Sequence, residues 1–298
     1  MTIKITFLGT ADQVPSASRN HTAVHLNYKG ENILVDCGEG TQRQFRKAKL
    51  NPCKIDKILI THWHGDHVFG LPGFLSTLAL SGYNKKLVIY GPKRTKIFVK
   101  ELLKIFNFKR NYEIEVKEVS GKFFEVDEFF LEAKSMEHGI PTNAYCFVKK
   151  DKVRINKEKL KKSGLPSGPL ISKLKQGKNV FYEGKKYLAK NLIYLEKGKK
   201  VSFVFDTRLN KRIVPFVEGS DLLVCESSYE KEMVDQAKEH LHLTSVQAAE
   251  IAKKSKSKKL ILTHISQRYD KCLKKILDEA KSVFGNSVLA KDLDGFEI

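Results

Sequence analysis

Short apolar runs alternate with amphipathic stretches along most of this chain. Strand-like runs fall at 2–8, 22–28, 32–36, 57–61 and 87–90, and segments with helical spacing fall between them at 41–48, 73–80 and 95–106. The alternation returns later, with strands near 201–205, 221–225 and 259–262 and helices near 210–217, 244–255 and 270–283. This pattern predicts the α/β class, and periodicity by itself goes no further. Between the two halves, 151–200 is weakly periodic, rich in lysine, and punctuated by Ser163-Gly164-Leu165-Pro166-Ser167-Gly168-Pro169-Leu170. Gly and Pro at that density predict a projecting, hinged element. At 298 residues and 41% hydrophobic content, the expectation is one domain over 1–298 with an insertion at about 152–195. There are no short internal repeats.

Charge narrows the partners. Lys+Arg 54 against Asp+Glu 34 leaves a net charge of +20, of the sign that attracts nucleic acid or an anionic membrane surface, and charge alone does not choose between them. Residues 151–200 hold 15 Lys/Arg against 4 Asp/Glu, so +11 of the excess sits on one sixth of the chain, a candidate RNA-gripping arm. No apolar run approaches the roughly 20 residues needed to span a bilayer, and the first residues do not read as a signal peptide. A cytoplasmic protein with no membrane partner is expected. The five cysteines, Cys37, Cys53, Cys146, Cys225 and Cys272, are odd in number, scattered and never in a C-x-x-C pair. They indicate neither a disulfide framework nor a zinc knuckle, and are expected to be small buried residues.

The strongest chemical signal is Thr61-His62-Trp63-His64-Gly65-Asp66-His67, directly after the apolar run Lys57-Ile58-Leu59-Ile60. A strand that breaks into a turn can aim His62 and His64 at one ion and Asp66 and His67 at another. Imidazole and carboxylate ligands suit zinc, with manganese or iron as alternatives. Three further positions follow apolar stretches: His138, Asp206 and His264. Each alone reads equally well as a hydrogen-bonded core histidine or a turn aspartate. Together with the first cluster they predict ligands converging on one sheet edge.

The cluster is preceded by Phe7-Leu8-Gly9-Thr10 and Asp36-Cys37-Gly38-Glu39-Gly40-Thr41-Gln42-Arg43-Gln44. It is followed in order by Val204-Phe205-Asp206-Thr207-Arg208, His242-Leu243-Thr244-Ser245 and Thr263-His264-Ile265-Ser266-Gln267-Arg268-Tyr269. These runs resemble the metallo-β-lactamase superfamily and, within it, the ribonuclease Z family of endonucleases that remove the 3′ trailer of precursor tRNA. The resemblance implies an αββα sandwich with an inserted flexible basic arm, two Zn2+ per subunit (Mn2+ or another divalent ion as alternatives), precursor tRNA as substrate and a homodimer. One ion would be held by His62, His64 and His138, a second by Asp66, His67 and His264, with Asp206 bridging. It further implies that Asp66 orients or deprotonates the attacking water, and that His242, its tautomer set by Glu226, is the general acid. A second-sphere or helix-capping role is the alternative for Glu226 and His242. Asp36 and Thr41 are expected to order the turn under the site, and Trp63 to pack beneath it.

Other features stay ordinary. Gly38-Glu39-Gly40 lacks the third glycine of a dinucleotide fingerprint and reads as a turn. His21, His25 and His240 receive no ligand role, although His21 remains a candidate for the mouth of the site. Many relatives carry Pro-x-Lys-x-Arg-Asn after the first strand, where this chain reads Pro15-Ser16-Ala17-Ser18-Arg19-Asn20. Ala17 replaces the lysine and Arg19 remains for a phosphate, so rejection of CCA-ended tRNA and the nucleotide at the cut stay open. Two other classes compete with the tRNA endonuclease: a small-molecule hydrolase such as a cyclic nucleotide phosphodiesterase, and a non-catalytic RNA-binding relative, which would be expected to have lost ligands. None of the seven is missing.

Overall fold

The computed structural model describes residues 2–106, 109–166 and 168–298; Ser167 of the Gly/Pro-rich run lies outside them. The first half contains β1 (Lys4–Gly9), β2 (Ala23–Tyr28), β3 (Glu31–Val35), α1 (Thr41–Lys47), β4 (Lys57–Leu59), α2 (Gly65–Val68), α3 (Leu71–Leu80), β5 (Leu87–Gly91), α4 (Thr95–Ile105) and β6 (Ile114–Glu118). Next come β7 (Gly121–Glu125), β8 (Phe129–Ser135) and β9 (Asn143–Lys149). Seven short elements follow: β10 (Lys152–Ile155), α5 (Lys157–Ser163), α6 (Pro169–Lys175), β11 (Val180–Tyr182), β12 (Lys185–Tyr187), α7 (Ala189–Leu192) and β13 (Ile193–Glu196). The alternation resumes with β14 (Lys199–Val204), α8 (Ile213–Val217), β15 (Leu222–Glu226), α9 (Val234–Glu239), α10 (Ser245–Lys254), β16 (Leu260–Thr263), α11 (Leu273–Val283), β17 (Ser287–Leu289) and β18 (Gly295–Glu297).

Two seven-stranded sheets result, ordered β18-β1-β2-β3-β4-β5-β6 and β17-β16-β15-β14-β9-β8-β7. In the first, β2 and β3 form a hairpin around Lys29-Gly30, both at positive φ (51° and 89°), as a tight two-residue turn with the twist of the flanking strands requires. From β3 onward the strands are parallel, and Val35, Leu59 and Tyr90 stand side by side in register. Chain leaving β3 and β4 therefore emerges at one edge. Alternation sends Leu8, Leu34, Ile58 and Ile89 to a core shared with Phe45, Phe74, Leu75, Leu78 and Val99 of the helices. The opposite face meets the second sheet. Tyr28 packs on Phe147 with ring centroids 5.6 Å apart, the Tyr145 hydroxyl donates to the Ile60 carbonyl at 2.8 Å, and the Asn143 N–H donates to the Thr61 carbonyl at 2.9 Å. This is an α/β fold of the αββα kind, and the last two bonds clamp the sheets together directly under the His62 motif.

Contacts divide the chain into two units, one of 1–124, 131–147 and 200–298 and one of 125–130 and 148–199. The second has its own small core of Leu165, Leu174, Val180, Tyr187, Ala189 and Leu192. Asn156 caps α5 through its side chain, Gly164 closes that helix in the left-handed region, and Pro169 opens α6 at a position whose N–H has no helical partner to lose. Glu196 accepts from Lys149 at 2.5 Å and Arg154 at 2.6 Å. The weak periodicity of this stretch reflects elements of only three to seven residues, not the want of a core.

Most expected elements end within a few residues of those observed. Two differences matter. The strand expected to 36 stops at Val35, and the one expected to 61 stops at Leu59, because the chain turns there to present side chains. Strands β6, β7 and β9 were not expected, whereas β8 contains the apolar run Phe129-Phe130-Leu131 read as a strand; β6 and β7 (IEVKE and GKFFE) are half-exposed and lack clean alternation. Tyr145→Phe leaves the Ile60 carbonyl without its buried donor; denaturant unfolding is expected to show a loss of about 1–3 kcal/mol.

Candidate metal centre

Three strand ends carry residues in the left-handed region that side-chain-bearing residues rarely adopt: Asp36 after β3 (φ 57°), Asp206 after β14 (φ 33°) and His264 after β16 (φ 56°). Such geometry costs on the order of 1–3 kcal/mol per residue and persists only where the surroundings impose it. Here it turns three side chains off three strands into one place. α2 begins at Gly65, immediately after His64, and delivers Asp66 and His67 to the same point.

The structure brings all seven expected ligand residues together in two groups that share Asp206: His62, His64, His138 and Asp206, and Asp66, His67, His264 and Asp206. Asp206 Oδ2 lies 3.3 Å from His62 Nε2 and 3.8 Å from His138 Nε2, while its Oδ1 lies 3.3 Å from His67 Nε2 and 3.2 Å from His264 Nε2. Asp66 Oδ2 is 3.2 Å from both His67 Nε2 and His264 Nε2. Imidazole nitrogens also face one another: His64 Nδ1 is 3.1 Å from His62 Nε2 and from His138 Nε2, and His67 Nε2 is 3.2 Å from His264 Nε2.

Opposed lone pairs at that distance repel unless a cation lies between them. Ligands at ~2.0–2.1 Å around a tetrahedral ion stand about 3.3 Å apart, which these separations match. Asp206 Oδ1 has no hydrogen-bond donor although it is buried. An orphaned carboxylate oxygen on a residue only 2% exposed calls for positive charge. The donor set thus fits divalent cations of the kind that take nitrogen and oxygen ligands.

Tethers on the far side of each ring fix which nitrogen is free. His67 Nδ1 donates to Asp36 Oδ2 at 2.7 Å. The Thr61 hydroxyl donates to the same oxygen at 2.7 Å, leaving it to accept from His62 Nδ1 at 3.1 Å. His138 Nδ1 donates to the Leu241 carbonyl at 3.2 Å, and His264 Nδ1 to Ser228 Oγ at 2.9 Å. Four imidazoles therefore turn an unprotonated Nε2 inward; His64 presents Nδ1 instead. Burial pushes His62 down to about 3, so its ring is neutral.

Glu226 is fully buried at the end of β15. Its Oε1 accepts from the Thr207 N–H at 2.6 Å, and its Oε2 from His242 Nδ1 at 3.0 Å and the Leu243 N–H at 3.2 Å. It thereby ties the loops after β14 and before α10 together and holds the His242 ring by its Nδ1. Burial works against a charge on His242, but the Glu226 carboxylate outweighs it and raises the imidazole to about 9. The His242 ring stacks 5.6 Å from His264 and lines a cavity of about 940 Å³ together with Asp12, His64, Asp66, Asp206, Tyr229 and Arg268.

Several expectations change. Arg19 is only 3% exposed; its Nη1 donates to Thr10 Oγ1 and the Ala290 carbonyl and its Nε faces Asp270, while its Nη2 has no hydrogen-bond partner and the residue lines a second cavity. Trp63 packs against Phe98 of α4 and donates to Thr95 Oγ1. Cys37, Cys146 and Cys225 are buried, but Cys53 is partly exposed and Cys272 exposed. His25 is held in the fold by Asn32, His240 by the Tyr229 hydroxyl at 2.6 Å, and His21 lines a neighbouring cavity. Asp36 orients His67 and Thr61, a more direct role than ordering a turn. Thr61 as a tether, Ser228, Tyr229, Asp12 and the cavity position of Arg268 were missed. Thr61 and Arg268 stood in runs already singled out; the others carry no signal of spacing.

Comparison with known proteins follows the same lines. Residues 3–153 match the family described as Anti-Pycsar protein Apyc1. Ribonuclease Z of Listeria monocytogenes is 39% identical over 308 aligned positions, covering 99% of this chain and 99% of that protein. Among solved structures, the short form of human tRNase Z is similar over 98% of each chain, with TM-score 0.73 and 28% identity. The metallo-β-lactamase fold protein YhfI of Bacillus subtilis superposes over the full length of both chains with TM-score 0.72 at 19% identity, a likeness of fold.

Asp36→Asn removes the charge that holds His67 and Thr61. Divalent-metal affinity, measured by competition with a chromogenic chelator, is expected to fall about 10- to 100-fold while the far-ultraviolet circular dichroism is unchanged.

Proposed function

The chain belongs to the ribonuclease Z family, its residues 3–153 falling also in the family described as Anti-Pycsar protein Apyc1, and on that premise we propose how its residues carry out the cleavage. It is a tRNA 3′-processing endoribonuclease, a phosphodiester hydrolase whose substrate is precursor tRNA. The observation that carries this is the likeness to ribonuclease Z over 99% of the chain. The Apyc1 likeness stops at 153, before Asp206, Glu226, His242 and His264.

Among the described residues, two groups are proposed as the metal sites: His62, His64 and His138 for one ion, Asp66, His67 and His264 for the other, with Asp206 serving both. The buried, donor-less Asp206 oxygen and the facing imidazole nitrogens support this. Two Zn2+ per subunit are the proposed occupants, with Mn2+ or another divalent ion as alternatives. When bound, such ions make water acidic enough to attack near neutral pH and offset the charge growing on the phosphate. Asp66 would orient that water and take its proton.

Attack at phosphorus breaks the bond to the 3′-oxygen, which leaves on the tRNA and needs a proton. His242 is proposed to supply it from Nε2, its Nδ1–H held on Glu226. The 148–199 unit, with its own core and its lysines, is proposed as the arm at about 152–195 that grips the tRNA body. A homodimer and a cytoplasmic location are proposed from the family. No helix among the described residues is long and apolar enough to cross a membrane.

Metal-loaded protein is expected to cut a precursor tRNA once, near the 3′ end of the acceptor stem, as mapped on a sequencing gel, and Asp66→Ala to abolish the cut. Failure of the wild-type protein to cut would overturn the reading. For His242 the sign is fixed by its partner. Its folded value of about 9 lies above the ordinary ~6.5, so the pairing stabilises the protein fully below about 6.5 and is lost as pH rises through about 9. A general acid must carry its proton, so the rate should fall over the same alkaline range. Glu226→Gln keeps an acceptor for Nδ1–H without the charge and is expected to move the alkaline limb of the cleavage profile down toward pH 6.5. An unmoved limb would remove His242 from the role.

A further inference from the structure

A second cavity, of about 510 Å³, opens next to the metal motif. The two cavities share a border segment, since Val14 lines the first and Pro15 the second. Phe69 forms a wall of the second, and 67% of it is exposed. This exposure is unusual for its surroundings: Val68, Leu71 and Phe74 beside it are all buried in the helix-side core, which Phe69 does not join. A phenyl ring left in water contributes little to stability.

The ring is nevertheless held in place. A side chain at Gly65 would have its Cβ only 2.0 Å from Phe69 Cζ and 2.1 Å from Cε2, so the ring lies directly on the Gly65 backbone between His64 and Asp66. The glycine inside the metal motif is thus the seat of an exposed aromatic face.

Two further groups in the cavity point to a ligand. His21 is 4% exposed and donates from Nε2 to the Gln13 carbonyl at 3.2 Å. Its Nδ1 is then an acceptor, buried and without a hydrogen-bond partner; the nearest carboxylate, on Glu39, is 4.0 Å away and has no proton to give. A ligand bearing an N–H donor would satisfy it. Arg43, on α1, lines the same cavity and has no acidic partner among the described residues, which leaves its guanidinium for a phosphate. An aromatic face, a hydrogen-bond acceptor for a base edge and a cation within one cavity are the three parts of a single-stranded nucleotide site.

We propose that Phe69 is a stacking platform for an unpaired RNA base close to the scissile phosphate, with His21 reading the edge of a base that carries an amino group and Arg43 meeting a backbone phosphate. Phe69 is thereby a positioning residue for the cleavage. This rests on the ribonuclease reading given above and adds where the strand runs once it leaves the main cavity.

The test uses the metal-loaded full chain and precursor tRNAs made non-cleavable at the mapped cut. Each carries 2-aminopurine, whose fluorescence falls on stacking, at one of the three nucleotides on either side. Wild-type protein should quench one of these positions at least about twofold. Phe69→Leu should abolish that quenching and raise KM for the cleavable precursor about 5- to 150-fold. Phe69→Tyr and Phe69→Trp, which keep the aromatic face, should restore both, and metal content should be equal in all four proteins. An abasic site at the quenched position should weaken the wild type but add nothing in Phe69→Leu. If the wild type cleaves yet no position shows quenching that depends on Phe69, or if the Tyr and Trp variants fail as Leu does, the stacking role is overturned and the nuclease reading stands. If the wild type does not cleave precursor tRNA at all, the nuclease reading itself has failed.

Discussion

Everything at the centre of this molecule answers to one buried carboxylate. Asp206 is 2% exposed, yet one of its oxygens faces His62 and His138 while the other faces His67 and His264. A charge so far from water is tolerable only among groups that supply positive charge or hydrogen-bond donors, and its Oδ1 lacks a donor. The twist at φ 33° that aims it, the left-handed turns at Asp36 and His264, and the two bonds that lock Tyr145 and Asn143 to the chain after β4 all hold groups where their own preferences would not put them. The rigidity of the sandwich is what pays for the strain.

Much of this was legible in the sequence. The H-x-H-x-D-H spacing fixes the first four groups because α2 starts within the motif, and His138, Asp206 and His264 stood out because each follows an apolar run. Why they converge was less legible. Register across β3, β4 and β5 and across β14, β15 and β16 aligns the strand ends, and register depends on pairing partners far apart in the chain. Tethers were nearly invisible for the same reason: a backbone carbonyl at Leu241 or a hydroxyl at Ser228 becomes meaningful only when a histidine about a hundred or about thirty-six positions away arrives beside it. Arg19 shows the same limit: that Thr10, Ala290 and Asp270 hold two of its nitrogens could be read only once the fold had brought them together.

The basic insertion shows the opposite failing. Its composition announced charge correctly, whereas its weak periodicity concealed a core built from elements too short to show a repeat. Leu165, Leu174, Val180, Tyr187 and Leu192 meet only after three short helices and two antiparallel strand pairs have formed. Lysines dominate the rest of the stretch, so the segment is both a charged surface and a small folded body. In Phe69 the sequence was silent altogether: one more apolar residue in an apolar run, separated from its buried neighbours only by the direction it faces.

The site residues are scattered from Asp36 to His264. A ribosome adding about 5–20 residues per second needs roughly 10–40 s to travel from His62 to His264. During that interval the first histidines lack Asp206 and His264, and neither Glu226 nor His242 has been made until late in it. A growing chain therefore lacks the assembled cluster. An enzyme that cuts RNA is made among ribosomes and messengers, and the order of these residues along the chain leaves the cluster incomplete until His264 has been added.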